Sequence, residues 1–332
     1  MLDFEKTLER TLAVAQPMAS EDIRKLEALG YVAGGQASIA AAYTNTDAWA
    51  ELFHLRDIKD GLAISRQSFS IRARIVVNEV GDEVLEQARH LVAASPETVF
   101  FHNLLGCIHL RRDEFEPAVA ALTRALALNP DYSESLNNLA MAYIVQNRFA
   151  DAEPLLRRDI ENMPQSLRAH KSMGYVMLKT NRPKLAREHF EFVLRREPQS
   201  HGAHRYLGEA LEQLGDETAA RDHYAESLRL NPGWISAALP LARLLLTARD
   251  AALRDPTRAL QVAWEACEAA EHRDAQALVA LADAYQALNR PHKVREALDE
   301  AIALVAPADP AEADRLRARR DALAPDREPA AR

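Results

Sequence analysis

Apolar residues recur along this chain in a helical rhythm, and the rhythm itself repeats. In SESLNNLAMAYIVQNRFADAEPLLRRDIENMP, residues 133–164, Leu136, Leu139, Tyr143 and Ile144 fall at helical spacing. Phe149, Ala152, Leu155, Leu156 and Ile160 make a second run, and the polar pair Asn147-Arg148 between them predicts a turn. Pro164 closes the second run, because proline donates no backbone hydrogen bond and drives the residue before it out of helical geometry. The segment therefore predicts two antiparallel helices of about four turns, each roughly 20 Å long.

The same pattern returns at a fixed interval. Pro96, Pro130, Pro164, Pro198 and Pro232 are evenly spaced, and the small residues Gly106, Ala140, Gly174, Gly208 and Ala242 keep the identical spacing. A second small series, Ala118, Ala152, Ala186 and Ala220, trails the first at a constant offset. Leu105, Leu139, Met173, Leu207 and Leu241 precede the first series. Helices packed about 8–10 Å apart need small side chains at their closest approach. A large side chain at Gly174 or Ala186 is therefore expected to overpack the pair, at about 1–3 kcal/mol.

The beat weakens at both ends. In 65–98, Arg72 occupies the small station, although Val84, Ala88 and Pro96 hold theirs. Extra residues fall between Ala242 and Ala259, in TARDAALRDPTRAL, where Asp255-Pro256 predicts an N-cap followed by a first-turn proline. The period recovers in 275–306, with Leu281, Ala282, Tyr285 and Ala301. DPAEADRLRARRDAL then predicts a capping helix with a polar outer face, as a stack of repeats requires. The tail APDREPAAR is expected to be disordered.

The chain has 332 residues, 48% hydrophobic, 6% aromatic and 27% charged, which suits a helical protein with many small interfaces. A net charge of −8 disfavours a general nucleic-acid binder. No apolar stretch is long enough to span a bilayer, and MLDFEKTLERTLAVAQ lacks the apolar core of a signal peptide. The chain as written predicts a cytoplasmic protein. Cys107 and Cys267 form neither metal spacing nor a disulfide framework, and Cys107 is expected to pack as a small apolar residue. No cofactor is expected, since the chain has no glycine-rich phosphate loop.

The small-residue pairs, Tyr143, Ala152 and the closing Pro164, with their counterparts in neighbouring units, resemble the tetratricopeptide repeat family over about residues 65 to 306. The resemblance implies an all-α fold: a right-handed superhelix, an α-solenoid of antiparallel helix pairs. It also implies a concave groove, lined by the first helix of each pair, in which a protein or peptide partner binds. Helical geometry puts Glu134, Asn137 and Met141 on the face opposite the packing stripe, and likewise Arg168, Lys171, Tyr175 and Lys179. Arg205, Glu209 and Glu212 follow, then Arg243. The middle of the groove is thus locally basic with an aromatic in it. It reads either as a patch for an acidic or carboxylate-bearing ligand or as a solvated charged face. The Lys and Asn pattern with which some family members grip a C-terminal carboxylate is absent. Cys107 and Met141 stand where it would need polar residues.

Other chemistry is sparse. His201 and His204 make an H-x-x-H on one helical face, which could hold a metal, but His204 sits at the large packing station, so a packed imidazole is the expectation and no metal is assigned. Trp264 and Met177 fall at packing spacings and are expected in the core. Helices this rich in charge offer accidental carboxylate and nucleophile–base pairs throughout, so no such constellation is assigned, and the array is read as non-catalytic.

One stretch stands apart from the repeats. EDIRKLEALGYVAGG, residues 21–35, is an amphipathic helix ending on two glycines, followed by a small-residue linker. Its end resembles the close of the catalytic domain in bacterial sulfatase-type hydrolases that carry a tetratricopeptide tail. There a helix ending Leu-x-x-Leu-Gly-Tyr precedes a Lys-Asp pair and then the repeats. Lys59-Asp60 lies about where that pair falls, and LLLTARDAALRDPTRALQVAWEACE resembles an irregular penultimate unit of such tails. The catalytic signature of that family, Cys or Ser, any residue, Pro, any residue, Arg, is absent.

The expected organisation is an N-terminal helical segment over 1–35, a linker over 36–59, the repeat array over 60–306, and a capping helix with a tail over 307–332. The first functional expectation is a non-catalytic protein- or peptide-binding scaffold. The alternative is the accessory tail of a sulfatase-type hydrolase, which would place the chain in the periplasm or outside the cell. The sequence names no partner and leaves the oligomeric state open.

Overall fold

A computed structural model describes residues 67–68, 70–75 and 80–323. The segments expected over 1–35 and 36–59, Lys59-Asp60 and the tail after residue 323 lie outside the described residues. Among those described, fourteen complete α-helices and one 3₁₀ turn occur, with no strand. The chain divides after Met163 into two compact units.

The first unit contains the helical residues 67–68 and 70–75 and five helices, α1 (Asp82–Ala94), α2 (Val99–Arg111), α3 (Phe115–Leu128), α4 (Ser133–Val145) and α5 (Phe149–Asn162). α2 packs on α3 and α4 on α5, and α3 joins the two pairs. The second unit continues with α6 (Leu167–Lys179), α7 (Pro183–Leu194), α8 (His201–Gln213), α9 (Glu217–Leu230) and α10 (Ile235–Thr247). After a 3₁₀ turn at Ala251–Leu253 come α11 (Pro256–Ala269), α12 (Ala275–Ala287), α13 (Pro291–Val305) and α14 (Pro310–Asp321). Each helix here packs on the next in chain order, and the first helices α6 and α8, and α10 and α12, also touch.

Within a repeat the two helices are joined by one residue in the left-handed region. Asp113, Asn147, Asn181 and Gly215 hold φ of +57°, +58°, +56° and +85°, and Asn289 holds +54°. This residue lets the chain reverse in a Schellman turn. Asn147 N–H bonds the Ile144 carbonyl at 2.9 Å and Arg148 N–H the Tyr143 carbonyl at 2.8 Å. Asp, Asn and Gly are the residues that tolerate that conformation, so they recur at this station.

The small residues do set the helix approach, and each lies against a large side chain of the second helix. A Cβ on Gly174 would come within 2.7 Å of the Phe190 ring. A Cβ on Gly106 would come within 2.5 Å of Leu122, and one on Gly208 within 2.8 Å of Tyr224. Each small residue thus takes a large one from the second helix, at the same offset in every case. Ala140 with Leu156, and Ala282 with Leu298, keep that offset and are fully buried.

In the irregular repeat, Asp255 caps α11 by accepting from Arg258 N–H at 2.9 Å, with Pro256 in the first turn. Ala238 stands where other repeats have His102, Leu136, His170, His204 and Leu278. A cleft of about 200 Å³ opens beside it, lined by Leu228, Pro232, Gly233, Leu241 and Val262 among others. α14 closes the second unit with Ala313 and Leu316 buried.

One expectation changes. Met177 is buried, but Trp264 is 49% exposed. The α11 stripe that packs is Ala259, Val262, Ala263, Ala266 and Cys267, and one residue's rotation past Ala263 carries Trp264 off it. Cys107 packs, half-buried, against the core of the first unit as expected, and its sulfur also takes the Asn138 amide at 3.0 Å.

Candidate functional site: the first-helix face

In the first unit, Asn137 is 2% exposed on α4, so its amide lies within the packing and not on open surface. Met141 on the same helix is exposed. Glu134 is held by Arg72 at 3.2 Å and accepts from the Asn103 amide at 3.3 Å.

In the second unit, α6, α8 and α10 present the expected bases together, and the structure supplies counter-charges for most of them. Lys171 meets Glu197, from the turn after α7, at 2.6 Å. Glu209 takes Lys179 at 3.2 Å on one oxygen and Arg205 at 3.0 Å on the other. Arg243 meets Glu212 at 2.6 Å, and Glu212 also accepts from the buried Tyr224 hydroxyl at 3.0 Å. Burial and the Glu212 charge push the Tyr224 phenol well up from its ordinary value. Arg168, exposed on the first turn of α6, has no carboxylate partner among the described residues.

The expected aromatic, Tyr175, has a companion that sequence reasoning passed over. Its ring meets Tyr206 edge-to-face at 5.3 Å. Lys179 lies 5.3 Å over Tyr175, and the Arg205 guanidinium 4.3 Å over Tyr206. Arg205 also donates to the Ser236 carbonyl at 3.1 Å, tying α8 to α10. The face is therefore a lattice of rings and shared charges, with two cations on one carboxylate.

Beneath it lie two histidine pairs. His170 on α6 and His189 on α7 stand with their Nδ1 atoms 2.9 Å apart, and His204 on α8 and His223 on α9 repeat the distance. The signal stands in the sequence, since both members of the second pair follow those of the first by one repeat period. His170 Nε2 faces the Pro164 carbonyl at 3.2 Å, and His204 Nε2 the Pro198 carbonyl at 3.0 Å. Burial, then the neighbouring His170, pushes the His189 imidazole down to about 4. Burial lowers His170 and His223 as well. His201 turns instead to Trp234, edge-to-face at 4.7 Å. Among the described residues, no group of three or more His, Cys, Asp or Glu side chains could hold a metal ion.

These features define an α-helical repeat protein made of antiparallel helix pairs at a fixed period. Residues 109–174 and 173–233 each match a model of the tetratricopeptide repeat, so the repeats over 109–233 are of that kind. A comparison with curated protein sequences found no match. Among solved structures, the chain is similar to pilF of Pseudomonas aeruginosa, with 19% identity, a TM-score of 0.55, and 66% of this chain and 96% of that one covered. PilW, a widely conserved type IV pilus biogenesis factor, gives 18% identity and a TM-score of 0.56, over 64% of this chain and 94% of that one. A chain of the APC/C hetero-tetramer Cut9-Hcn1 gives 15% identity and a TM-score of 0.64, over 76% of this chain and 48% of that one. At these identities the likeness is one of fold. No described helix is long and apolar enough to cross a membrane.

Proposed function

We propose that the chain is a non-catalytic scaffold that holds an acidic protein or peptide segment against the first-helix face of α6, α8 and α10, the concave groove of a tetratricopeptide solenoid. The carrying observation is the surplus of positive charge on that face. Lys179 and Arg205 share the single carboxylate of Glu209, and Arg168 has none among the described residues. An acidic side chain can take over one arm of the shared pair without stranding the other cation. Tyr175 and Tyr206 stand beside it, with Lys179 and Arg205 over their rings. Exposed ion pairs are each worth little, about 0–1 kcal/mol, so exchanging one for a ligand contact costs little.

The test is capture of immobilised acidic, neutral and basic peptides by wild type and by Lys171→Glu with Lys179→Glu. Wild type should retain the acidic set preferentially, and less so as salt rises. The double variant should lose that preference with its helical circular dichroism intact. Equal retention by both would reject the acidic-ligand reading.

A second reading rests on EDIRKLEALGYVAGG and Lys59-Asp60: the accessory tail of an exported sulfatase-type hydrolase. Immunoblots of cytoplasmic and extracytoplasmic fractions separate the two. A band at this chain's own mass in the cytoplasm supports the free-standing scaffold, and a much larger exported band supports the tail.

A further inference from the structure

We propose that the histidine pairs His170–His189 and His204–His223 make α6 to α9 an acid-sensitive section of the second unit, which loosens as the pairs take up protons. The geometry assigns the tautomers. A carbonyl only accepts, so Nε2 of His170 and of His204, facing Pro164 and Pro198, carries the hydrogen. A neutral ring then leaves Nδ1 bare, and it accepts the Nδ1–H of the partner ring at 2.9 Å. A first proton can enter at the far nitrogen of His189 or His223 and leave this bond in place, at the cost of charging a half-buried ring. A second proton has only the accepting Nδ1 left, and there it sets two N–H donors against each other. Each pair joins the two helices of its repeat, so that step parts α6 from α7, or α8 from α9.

The surroundings grade the two pairs. The His170 ring stacks on Phe192 at 3.8 Å, and the Arg196 guanidinium lies 3.7 Å over the same ring. Two groups so close cannot share one face, so Phe192 is sandwiched, and a charged His170 would set a second cation against Arg196. The charged or titratable groups that act on this pair are Arg196 on His170 and His170 on His189, and each opposes a proton there. The second pair faces Glu191 from α7 and Asp222 and Glu226 from α9, all of which favour a proton on His223. His223 should therefore charge in milder acid than His189.

The fold does not need imidazoles here. The 133–166 repeat has Leu136 and Leu155 at the same two stations, and the 275–306 repeat has Leu278 and Ala297. Hydrocarbon serves the packing, so the histidines add pH dependence to an otherwise ordinary joint. The sign is set by the depressed folded values. Above the ordinary histidine value of 6.5 both folded and unfolded chains are neutral and the joint is at full strength. As pH falls from there towards about 4, the unfolded chain takes up protons first and stability is lost. Because α6 and α8 present Lys171, Tyr175, Lys179 and Arg205, acid would also weaken capture at the first-helix face. That consequence rests on the proposed function, whereas the loosening does not.

The experiment is native-state hydrogen exchange on the full chain near pH 7 and near pH 4, read as protection factors helix by helix. One histidine moved from 6.5 to about 4 should lower protection of α6–α9 on the order of a hundredfold near pH 4. α12 and α13 should change far less. The variant His170→Leu, His189→Leu, His204→Leu, His223→Leu should keep its protection. A loss shared equally by α12–α13, or a loss in the variant as large as in wild type, would overturn the proposal. Should the variant fail to fold, imidazole NMR titration of wild type decides. His189 staying neutral well below 6.5, with His223 charging before it, supports the device, and an ordinary titration of His189 overturns it. A chain that shows the exchange pattern yet captures no acidic peptide at either pH would sink the proposed function and leave this inference standing.

Discussion

At Gly174 a single missing carbon decides how close two helices can come. Its absent Cβ leaves room for the Phe190 ring, which is rigid and fully buried and cannot swing away as a flexible chain end could. Gly174→Ala should therefore cost about 1–3 kcal/mol by overpacking, partly offset by about 1 kcal/mol of helix propensity. Gly174→Leu should cost more. The neighbouring repeat shows the remedy, since Ala140 pairs there with Leu156. Adding Phe190→Leu to Gly174→Ala rebuilds that pair and should recover most of the loss. A thermal double-mutant cycle checks this, and strictly additive melting shifts would mean the two residues do not oppose each other. The need for small residues at this station was legible in their spacing. Their partners were not. Ala186, the next residue of the small series, shares the small character, while the contacting ring of Phe190 lies one helical turn beyond it, a difference that composition does not reveal.

Each helix pair depends on its reversal. Asn181 holds φ +56°, its N–H bonds the Leu178 carbonyl at 3.1 Å, and Arg182 N–H bonds the Met177 carbonyl at 2.8 Å. A β-branched side chain is strained in that conformation. Asn181→Val should destabilise the α6–α7 pair by about 1–2 kcal/mol, and Asn181→Gly, as Gly215 already does naturally, should be close to neutral. Chemical denaturation of the two variants checks the order, and equal midpoints would deny the turn this role. The helices, their ends at the prolines and the Asp255 cap could all be read from pattern, because those signals are local. The ion-pair lattice could not. Lys171 meets Glu197 across 26 residues, and Lys179 meets Glu209 across 30. Such pairings depend on which turn of one helix faces which turn of another. For the same reason the groove read as a basic patch from sequence, and its bases proved to be largely shared with carboxylates. Trp264 shows the opposite failure, a bulky apolar residue assigned inward that stands one residue's rotation outside its stripe.

Across a repeat array, stability is close to a sum of each repeat and its contacts with neighbours, so damage should stay near where it is made. α14 tests this at the end of the second unit. It lays Ala313 and Leu316 against the stack, Arg319 reaches Asp283 and the Gln286 side chain, and Arg320 reaches Asp299 at 2.6 Å. The polar side of α14 then faces water in place of the apolar faces of α12 and α13. The ion pairs are exposed and worth little, so the buried Leu316 should carry most of the docking. Leu316→Asp puts a charge at a buried position and should undock the helix. Hydrogen exchange should then rise in α12 and α13, fall off through α10 and α11, and leave α2 to α5 at wild-type protection. The newly exposed apolar face should also make the variant associate as its concentration rises, visible by light scattering. A uniform loss of protection along the whole chain would instead describe a single cooperative body, and local repeat energetics would not apply to this protein.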